Sequence, residues 1–395
     1  MSKPFDVCVI GGAGHIGAPL AVVLANNSFH TMICDTNTDA LNTLRRGIFP
    51  FIEEGGESAL RCALEKEMLE FSSDISCIQQ IPVVILTIGT PINEFHNPVF
   101  SLLTRVIDSM LPYLSDEQTI ILRSTVAPGV TEFLGRYLSN GGKKTRIAFC
   151  PERVVQGKAI KEIQALPQLV SGITPDAFEV AANLFRRIAA EVVEATTREA
   201  EYAKLICNAF RYIQFAATNQ LYMMVESAGL NYNNLLKKMK IGYPRMQSIP
   251  GPGFAAGPCL MKDTMQLFSF VKHSYILGQV AVSINEGLPN YIVERLASKH
   301  DLTTKKIGIL GMAFKAESDD IRDSLSYKLG KILRFSGATV LYSDEYVADS
   351  TFVSKEDLVS TADIVVIGVP HKAYRLLEFP ASVEVFDMWG ILETE

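Results

Sequence analysis

The stretch VCVIGGAGHIG, residues 7–17, decides the fold class of this 395-residue chain. An apolar run of the kind that forms a buried strand ends there in glycines, and Gly12, Gly14 and Gly17 have the spacing G-x-G-x-x-G. A helical pattern follows at once, so the backbone N–H groups of the turn and of the helix N-terminus can hold a pyrophosphate. The stretch predicts the phosphate-binding turn of a dinucleotide-binding domain. The alternative is a glycine-rich turn that close packing alone requires.

Asp35 closes the next apolar run, 18 residues after Gly17. A carboxylate at that position accepts hydrogen bonds from the ribose of an adenosine and repels a 2′-phosphate. We therefore expect NAD rather than NADP as the cofactor, bound by Gly12, Gly14, Gly17 and Asp35. A dinucleotide implies hydride transfer, but it does not name the substrate.

The chain goes on to repeat this alternation of β-rich and helical runs. Segments with helical spacing separate a first set of apolar runs, which predicts a parallel, doubly wound sheet. The predicted strands of this set cover residues 5–11, 30–35, 83–89, 119–125, 146–150, 169–173 and 191–196. We expect them to form a Rossmann-like NAD-binding domain over residues 1–196.

The pattern changes at Thr197, where a run without glycine or proline extends to Ala228 and predicts one long helix. Further helical segments indicate a helical central domain over residues 197–300. The strand–helix alternation then returns over residues 301–395. The strands predicted there cover residues 305–315, 338–344, 362–371 and 383–390. The predicted fold class is α/β, with two Rossmann-like, doubly wound parallel-sheet domains joined by a helical central domain.

Composition and charge argue against several classes of protein. The chain is 48% hydrophobic and 20% charged, as in ordinary globular proteins, and its net charge of −6 includes no long run of like charges. We therefore expect neither nucleic acid nor an anionic membrane as the main partner. No apolar run reaches the roughly 20 residues that span a bilayer, and the start has no apolar region of signal-peptide length. Seven scattered cysteines without a CxxC pair predict a cytoplasmic protein with neither disulfides nor a metal cluster.

The loop GPGFAAGPCLMKD, residues 251–263, carries one thiol, Cys259, on a backbone that is poor in side chains. Such a loop allows another molecule to come close to the sulfur. A thiolate adds to an aldehyde to give a thiohemiacetal, whose oxidation gives a thioester that water hydrolyses. With a dinucleotide, this chemistry carries an alcohol through the aldehyde to the acid and reduces two NAD per turnover.

The stretch EYAKLICNAFR, residues 201–211, supplies two groups that this chemistry needs. Lys204 and Asn208 are four residues apart, so they share one face of a helix. A cation and an amide donor together can stabilise developing negative charge and hold a hydroxyl or a water. Lys204 could also provide the positive charge that lowers the pKa of a thiol. The alternative is that Lys204 is a solvated charge on a helix surface.

Eight motifs, taken in chain order, connect the chain with a known family. They are GGAGHIGAPLA, IGTPINE, RSTVAPG, CPERV, EYAKLICNAFR, GPGFAAGPCLMKD, INEGLP and GMAFKAESDDIRDS. Over essentially its whole length the chain resembles the UDP-glucose/GDP-mannose dehydrogenase family, the nucleotide-sugar 6-dehydrogenases. The resemblance implies that residues 301–395 bind the UDP part of a nucleotide sugar. It also implies a homodimer built around the long central helix.

The resemblance further implies catalytic roles. Cys259 matches the covalent nucleophile of the family, and Asp263 matches the aspartate that positions or deprotonates the hydrolytic water. Lys204 and Asn208 match the pair that steadies the oxyanion and the catalytic water. Glu152 of CPERV would be the base for thioester hydrolysis.

The same resemblance assigns binding residues. Thr125 would hold a water beside the sugar and would line the NAD cleft together with Thr90. The residues implied for the nucleotide sugar are Glu152, Arg153, Lys204, Asn208, Arg211, Arg245, Phe254, Gly257, Lys315 and Arg322. Among these, Arg245 matches an arginine that reaches into the site of the neighbouring subunit, and the backbone near Phe254 and Gly257 would pass the sugar and the diphosphate.

Each assignment has a structural alternative. If the residues have only structural roles, Cys259 would be an inert loop thiol and Asp263 would be a carboxylate at the start of a helix. Glu152 and Arg153 would form a surface ion pair. Arg322 would neutralise the acids of SDDIRDS at a helix start.

Three positions depart from the family pattern. Gln156 stands where the glucose-oxidising branch has a second carboxylate, and Asn219–Gln220 stands where an asparagine–glutamate pair is common. The segment AAGP, residues 255–258, replaces the usual pair of glycines before Cys259. The path of this loop is therefore expected to differ from that of related enzymes.

The substrate prediction rests on conflicting motifs. CPERV and Arg211 resemble the branch that acts on UDP-N-acetylhexosamines, whereas LMKD after Cys259 resembles the glucose branch. We expect a UDP-N-acetylhexosamine, with UDP-glucose as the alternative, in the supply of uronic acids for a polysaccharide. Two other functions stay open, a non-catalytic protein that binds NAD or a nucleotide sugar, and a two-electron dehydrogenase of the hydroxyacid type.

Overall fold

A computed structural model describes residues 4–93, 99, 101–271 and 274–392 of the chain. The described residues divide into two compact units, residues 1–207 and 208–395. The boundary between the units falls inside the long central helix, so the three-domain division with borders at 196 and 300 stays a prediction. Within the described ranges, no helix is both long enough and apolar enough to cross a membrane.

The first unit is built on a sheet that has eight strands within the described residues, in the order β3-β2-β1-β4-β5-β6-β7-β8. Reversal of strand order between β1 and β4 is the arrangement of a Rossmann fold, and it opens a crevice at the carboxyl ends of these two strands. The strands are β1 (Val7–Ile10), β2 (Thr31–Cys34), β3 (Leu69–Ser72), β4 (Val83–Leu86), β5 (Thr119–Leu122), β6 (Arg146–Phe149), β7 (Gln168–Gly172) and β8 (Val192–Glu194).

Helices cover both faces of this sheet, and the alternation of side chains along each strand separates two cores. Val7 and Val9 of β1 belong to one apolar cluster, whereas Cys8 and Ile10 belong to the other. This is the period-2 pattern of a strand that is buried on both faces. The helices of the first unit are α1 (Gly17–Asn26), α2 (Thr38–Arg45), α3 (Gly56–Glu65), α4 (Ser101–Met110), α5 (Val130–Asn140), α6 (Ala159–Ala165) and α7 (Pro175–Phe185).

All seven strands predicted for this unit are present, and two details differ from the prediction. Strand β3 was not predicted, because it is a four-residue edge strand with a single fully buried position, Leu69, and so lacks a clear apolar pattern. Strands β6 and β7 pair antiparallel. The alternation of strands and helices in the sequence does not determine whether two strands pair parallel or antiparallel. Here the connection through the short helix α6 places the start of β7 at the carboxyl end of β6, so the two strands run in opposite directions.

The second unit combines helices with a sheet that, among the described residues, has four parallel strands in the order β10-β9-β11-β12. Its strands are β9 (Lys306–Leu310), β10 (Thr339–Ser343), β11 (Ile364–Ile367) and β12 (Glu384–Phe386). The remaining helices are α8 (Thr197–Ser227), which crosses the boundary between the units, α9 (Tyr232–Lys240), α10 (Leu260–Phe270), α11 (Ile276–Ala297), α12 (Leu325–Phe335) and α13 (Lys355–Thr361). The 31-residue helix α8 confirms the predicted long helix, and the two sheets confirm the predicted fold class.

Candidate active site

In the glycine-rich turn after β1, the structural reason for having a glycine differs from one position to another. A Cβ on Gly12 would lie 2.6 Å from the carbonyl oxygen of Val9, and one on Gly17 would lie 2.4 Å from that of Gly11. Both positions therefore exclude a side chain through backbone packing. A Cβ on Gly14 would meet nothing closer than 3.5 Å. Packing explains Gly12 and Gly17 but not Gly14, whose missing side chain leaves the backbone open to a ligand, as at the second glycine of a dinucleotide turn.

Asp35 lies at the carboxyl end of β2 and is bound to the glycine-rich turn. Its Oδ2 accepts the N–H of Ala13 at 3.0 Å, and its Oδ1 accepts the N–H of Asn37 at 2.9 Å. Helix α1 starts directly after the turn, and its N-cap residue, Ile16, provides no side-chain cap to the first N–H groups. These groups fit NAD, because the uncapped N-terminus of α1 favours a pyrophosphate through its dipole and Asp35 offers acceptors for a ribose.

Replacing Asp35 with alanine is expected to weaken NAD binding by at least about tenfold, which corresponds to roughly 1.4 kcal/mol. The substitution removes the acceptor for the Ala13 N–H and also the charge that repels a 2′-phosphate, so the preference for NAD over NADP should narrow. Titration calorimetry with both cofactors measures the two effects. Asp39→Ala, in the exposed first turn of α2, is the matched control. Equal affinities for Asp35→Ala and the wild type would contradict this role of Asp35.

Thr90 and Thr125 come together at the ends of neighbouring strands. Thr90 Oγ1 donates to the carbonyl oxygen of Thr125 at 2.5 Å, beyond the carboxyl ends of β4 and β5. Thr87, at the end of β4, donates to the carbonyl oxygens of Ile10 and Gly11 at 2.9 and 3.0 Å. These threonines therefore lie where a Rossmann fold binds its ligand, and the hydroxyl of Thr125 is not used in the bond to Thr90.

Glu152 is buried in an ion pair that the sequence did not predict. Its Oε2 pairs with the guanidinium of Arg123, which is 2% exposed. Its Oε1 accepts the N–H groups of Arg153 at 2.6 Å and Val154 at 2.9 Å. The predicted alternative of a surface ion pair between Glu152 and Arg153 is therefore wrong, because the guanidinium of Arg153 instead donates to the carbonyl oxygen of Pro167.

Helix α8 starts against the first unit and carries Lys204 and Asn208 on consecutive turns. Glu201, which is fully buried, accepts the N–H groups of Gly129 at 2.6 Å and Thr131 at 2.8 Å, at the N-terminus of α5. Burial raises the pKa of Glu201. A carboxylate at a helix N-terminus is favourable, so Glu201 fixes the turn of α8 from which the half-buried Lys204 projects.

Cys259 is an exposed thiol directly before the first residue of α10. A helix N-terminus stabilises a nearby thiolate through its N–H groups and dipole. Arg322 adds a second source of positive charge. The hydrogen bond to the Asp320 carboxylate raises the pKa of Arg322, and the negative charge of Cys259 raises it further. Arg322 and Cys259 are therefore close enough for their charges to interact.

Asp263 lies one turn further along α10 and is 0% exposed. Asn208 Nδ2 donates to its Oδ2 at 2.5 Å, and Lys262 Nζ is 2.8 Å from its Oδ1. Asp263 also lies in the first turn of α10, as the structural alternative proposed. A position in the first turn of α10 and a catalytic role for Asp263 are compatible. Among the described residues the carboxylate caps no backbone group, and two side chains hold it instead.

The loop before Cys259 is shaped by close contacts at two glycines. Gly257 has φ +97°, and a Cβ there would lie 2.5 Å from the ring of Phe314. Gly253 has φ +147°, and a Cβ there would lie 2.1 Å from the ring of Trp389. Phe254 is 7% exposed and belongs to an apolar cluster of the second unit, so its side chain packs in the core.

Ala255 accounts for part of the AAGP departure. It is 5% exposed and packs in an apolar cluster with Tyr212, Ala216 and Ala281, from helices α8 and α11. Its methyl group therefore fills space in the core. The departure from glycine at this position reflects packing against the central helices.

The four remaining predicted residues, Arg211, Arg245, Lys315 and Arg322, differ in their surroundings. Arg322 binds the buried Asp320 through Nε at 3.0 Å and Nη2 at 2.5 Å. This matches the predicted alternative that Arg322 neutralises an acid, although α12 is capped by Ser324. Arg211 lies over the ring of Phe215 and Arg245 donates to the hydroxyl of Tyr243, both at exposed positions. Lys315 lies 5.8 Å from the ring centre of Phe314.

Sequence reasoning missed the partners of several predicted residues. Arg123 and Asp320 each bind a predicted site residue, and Lys262 binds Asp263. A charged residue at the end of an apolar strand, as in TIILRST, is the signal that could have identified Arg123, because such a charge needs a buried partner. Lys262 directly precedes Asp263, and Asp320 lies two residues before Arg322, but nothing in this spacing shows where their side chains point.

Comparison with known proteins identifies the family. Models of three domains of the UDP-glucose/GDP-mannose dehydrogenase family match the chain, the NAD binding domain over residues 5–189, the central domain over 198–286 and the UDP binding domain over 308–394. The chain belongs to the UDP-glucose/GDP-mannose dehydrogenase family. It is an NAD-dependent oxidoreductase of UDP-sugars, which confirms the predictions of the family, the enzyme class and the cofactor.

Relatives within this family are similar along almost their whole length. The UDP-N-acetyl-D-mannosamine dehydrogenase of Pyrococcus horikoshii is 28% identical over 376 residues, which cover 92% of this chain and 89% of the relative. The NDP-N-acetyl-D-galactosaminuronic acid dehydrogenase of Ralstonia nicotianae is 26% identical and is covered to 93%, over 95% of this chain.

Solved structures give the same result for the fold. A UDP-D-ManNAc dehydrogenase structure from Pyrococcus horikoshii superposes with a TM-score of 0.91 at 27% identity, covering 98% of this chain and 96% of that chain. The UDP-glucose dehydrogenase structure from Pyrobaculum islandicum has a TM-score of 0.88 at 23% identity, covering 98% and 95%. The second structure supports the fold alone.

Proposed function

We propose that this UDP-sugar dehydrogenase oxidises the C6 alcohol of a UDP-N-acetylhexosamine to the uronate through a covalent intermediate on Cys259. The main observation in support is an exposed thiol at the N-terminus of α10 whose charge interacts with Arg322. The choice of sugar is supported by relatives that are named for N-acetylmannosamine and N-acetylgalactosaminuronic acid. UDP-glucose is the alternative substrate.

The proposed reaction balances as two oxidations and one hydrolysis. Loss of two electrons and two protons converts the alcohol to the aldehyde, and the Cys259 thiolate adds to the aldehyde carbon to form a thiohemiacetal. A second two-electron oxidation gives the thioester, and water cleaves its C–S bond to release the acid and the thiol. When bound, NAD supplies the hydride acceptor for each oxidation.

The residues of the chain have complementary roles in this proposal. The N-terminus of α10 and Arg322 keep Cys259 as a thiolate. Lys204 and Asn208 stabilise the developing oxyanion, and Asn208 is itself oriented by Asp263. Thr125 holds a water beside the sugar, and Glu152 or Asp263 takes the proton of the hydrolytic water.

A panel of UDP-sugars with product mass analysis tests the proposal. We expect about two NADH for each UDP-N-acetylhexosamine consumed, with the uronate as product, because the thioester route removes four electrons. A lower kcat/KM is expected for UDP-glucose. One NADH per sugar with a ketone or aldehyde product would indicate a two-electron dehydrogenase. No NADH with any sugar of the panel would indicate a binding protein.

The proposal includes a homodimer in which Arg245 serves the site of the partner. It is supported by the apolar surface of α8, where Ile206, Phe210 and Met224 are 50%, 59% and 62% exposed. Apolar side chains repeated along one long helix are typical of a surface that another chain covers. Arg245 itself is exposed in the single chain.

A further inference from the structure

The side-chain amide of Asn219 forms hydrogen bonds with both backbone polar groups of Gly253, a residue of the loop that leads to Cys259. Asn219 lies on α8 and is 0% exposed. Its Oδ1 accepts the N–H of Gly253 at 2.9 Å, and its Nδ2 donates to the carbonyl oxygen of Gly253 at 2.9 Å. Paired bonds of this kind fix a peptide segment in position and in orientation.

A second buried amide fixes the orientation of the first. The other hydrogen of Asn219 Nδ2 is donated to Oδ1 of Asn285, on α11, at 2.9 Å. Asn285 is also 0% exposed, and its Nδ2 donates to the carbonyl oxygen of Tyr212 at 3.1 Å. Because Tyr212 O can only accept, it sets the direction of Asn285 and, through it, the direction of Asn219. A connected buried network of this kind specifies one arrangement.

The opposite side of Gly253 is closed by an aromatic ring. The position of a Cβ on Gly253 lies 2.1 to 2.4 Å from three atoms of the Trp389 ring. Trp389 is the one tryptophan of the sequence, and its Nε1 donates to the carbonyl oxygen of Ile367 at 3.0 Å. Gly253 is therefore held between an amide from α8 and a ring from the C-terminal part of the chain.

The seven residues from Gly253 to Cys259 are held at two further points. Ala255 packs in the core, and Gly257 donates its N–H to the carbonyl oxygen of Asp323 at 3.3 Å. Asp323 directly follows Arg322, whose charge interacts with Cys259. Gly253 is thus one of three points at which the loop that leads to the start of α10 is held.

We propose that Asn219 is a positioning residue that fixes the loop of residues 251–258 and thereby holds Cys259 at the N-terminus of α10, where the helix N–H groups stabilise a thiolate. The inference deepens the proposed function and rests on Cys259 as the nucleophile. Asn219 touches Gly253 rather than any reacting atom. Loss of its amide leaves both polar groups of Gly253 buried without a partner, and the loop then moves to satisfy them.

Alkylation of Cys259 by iodoacetamide, followed by peptide mass spectrometry, measures the effect without a substrate. The variants are Asn219→Leu, which loses both bonds, and Asn219→Asp, which keeps an acceptor for the Gly253 N–H but loses the donor. Asn183→Leu, on the exposed side of α7, is the matched control. Cys62, half-buried on α3 of the first unit, is the reference thiol in every sample.

We expect the alkylation rate of Cys259 relative to Cys62 at neutral pH to fall by about fivefold or more in both Asn219 variants, and to stay unchanged in Asn183→Leu. The pH profile of Cys259 alkylation should move to higher pH, and Trp389 fluorescence should change. The comparison uses folded variants only, because unfolding by itself also shifts that profile.

An unchanged rate ratio and pH profile in a folded Asn219→Leu protein would overturn the proposal. If Asn219→Leu does not fold, Asn219→Asp decides by the same two measurements. The proposed function is tested separately, and it fails if the wild-type enzyme forms no NADH with any UDP-sugar. Even in that case the alkylation comparison tests whether Asn219 positions Cys259.

Discussion

Cys259→Ser is expected to reduce formation of the uronic acid by on the order of 10³-fold or more, since removal of a covalent nucleophile has effects of this size or larger. A serine hydroxyl ionises poorly at neutral pH, so neither α10 nor Arg322 gives it the nucleophilicity of a thiolate. The first oxidation does not need the thiol. We therefore expect NADH formation to stop at about one per enzyme site, with the sugar held at the aldehyde level.

Cys207→Ser provides the control for this experiment. Cys207 is also exposed, on α8, and lies one residue before Asn208, but no role in the reaction is proposed for it. Its variant should keep the kcat of the wild type. Acid production by Cys259→Ser at the wild-type rate, measured by mass spectrometry of the product, would rule out the covalent route.

Gly253→Ala is expected to lower the free energy of unfolding by about 3 kcal/mol or more, because it combines backbone strain with overpacking. At φ +147° an alanine is strained regardless of space, and its Cβ would lie 2.1 Å from the Trp389 ring. The ring cannot retreat without losing its bond to the carbonyl oxygen of Ile367. Urea unfolding monitored by Trp389 fluorescence measures the loss directly.

Gly251→Ala is the control in the same loop. A Cβ on Gly251 would meet nothing within 4 Å, and the residue is exposed. Its effect on the free energy of unfolding should be within about 0.5 kcal/mol, as for other surface substitutions. Similar unfolding midpoints for Gly253→Ala and Gly251→Ala would show that the contact with Trp389 does not constrain the loop.

Patterns that are local in the sequence were sufficient for the fold class. Apolar runs that form strands, and a run from Thr197 to Ala228 without glycine or proline, predict secondary structure because their period and composition act over a few residues. Strand β3 was not predicted from such patterns, because an edge strand buries few side chains. The antiparallel direction of β7 was not predicted either, because strand pairing depends on segments that are far apart in the chain.

For the site, the sequence by itself determined which chemical groups are available. It pointed to a glycine-rich turn with Asp35, a thiol at Cys259, and the pair Lys204 and Asn208, since each depends on residue type and on spacing along one element. Their assignments as catalytic or substrate-binding residues rest on the resemblance and stay proposals. The spacing carries no information on the groups that surround them.

The tertiary structure decided those partners. It buried Glu152 against Arg123, joined Asn208 to Asp263, and clamped Gly253 between Asn219 and Trp389. Each of these contacts joins residues that are 29 to 136 positions apart. A side chain's own sequence fixes its chemistry, but the partner that compensates its buried charge or hydrogen bond is chosen when distant elements pack together.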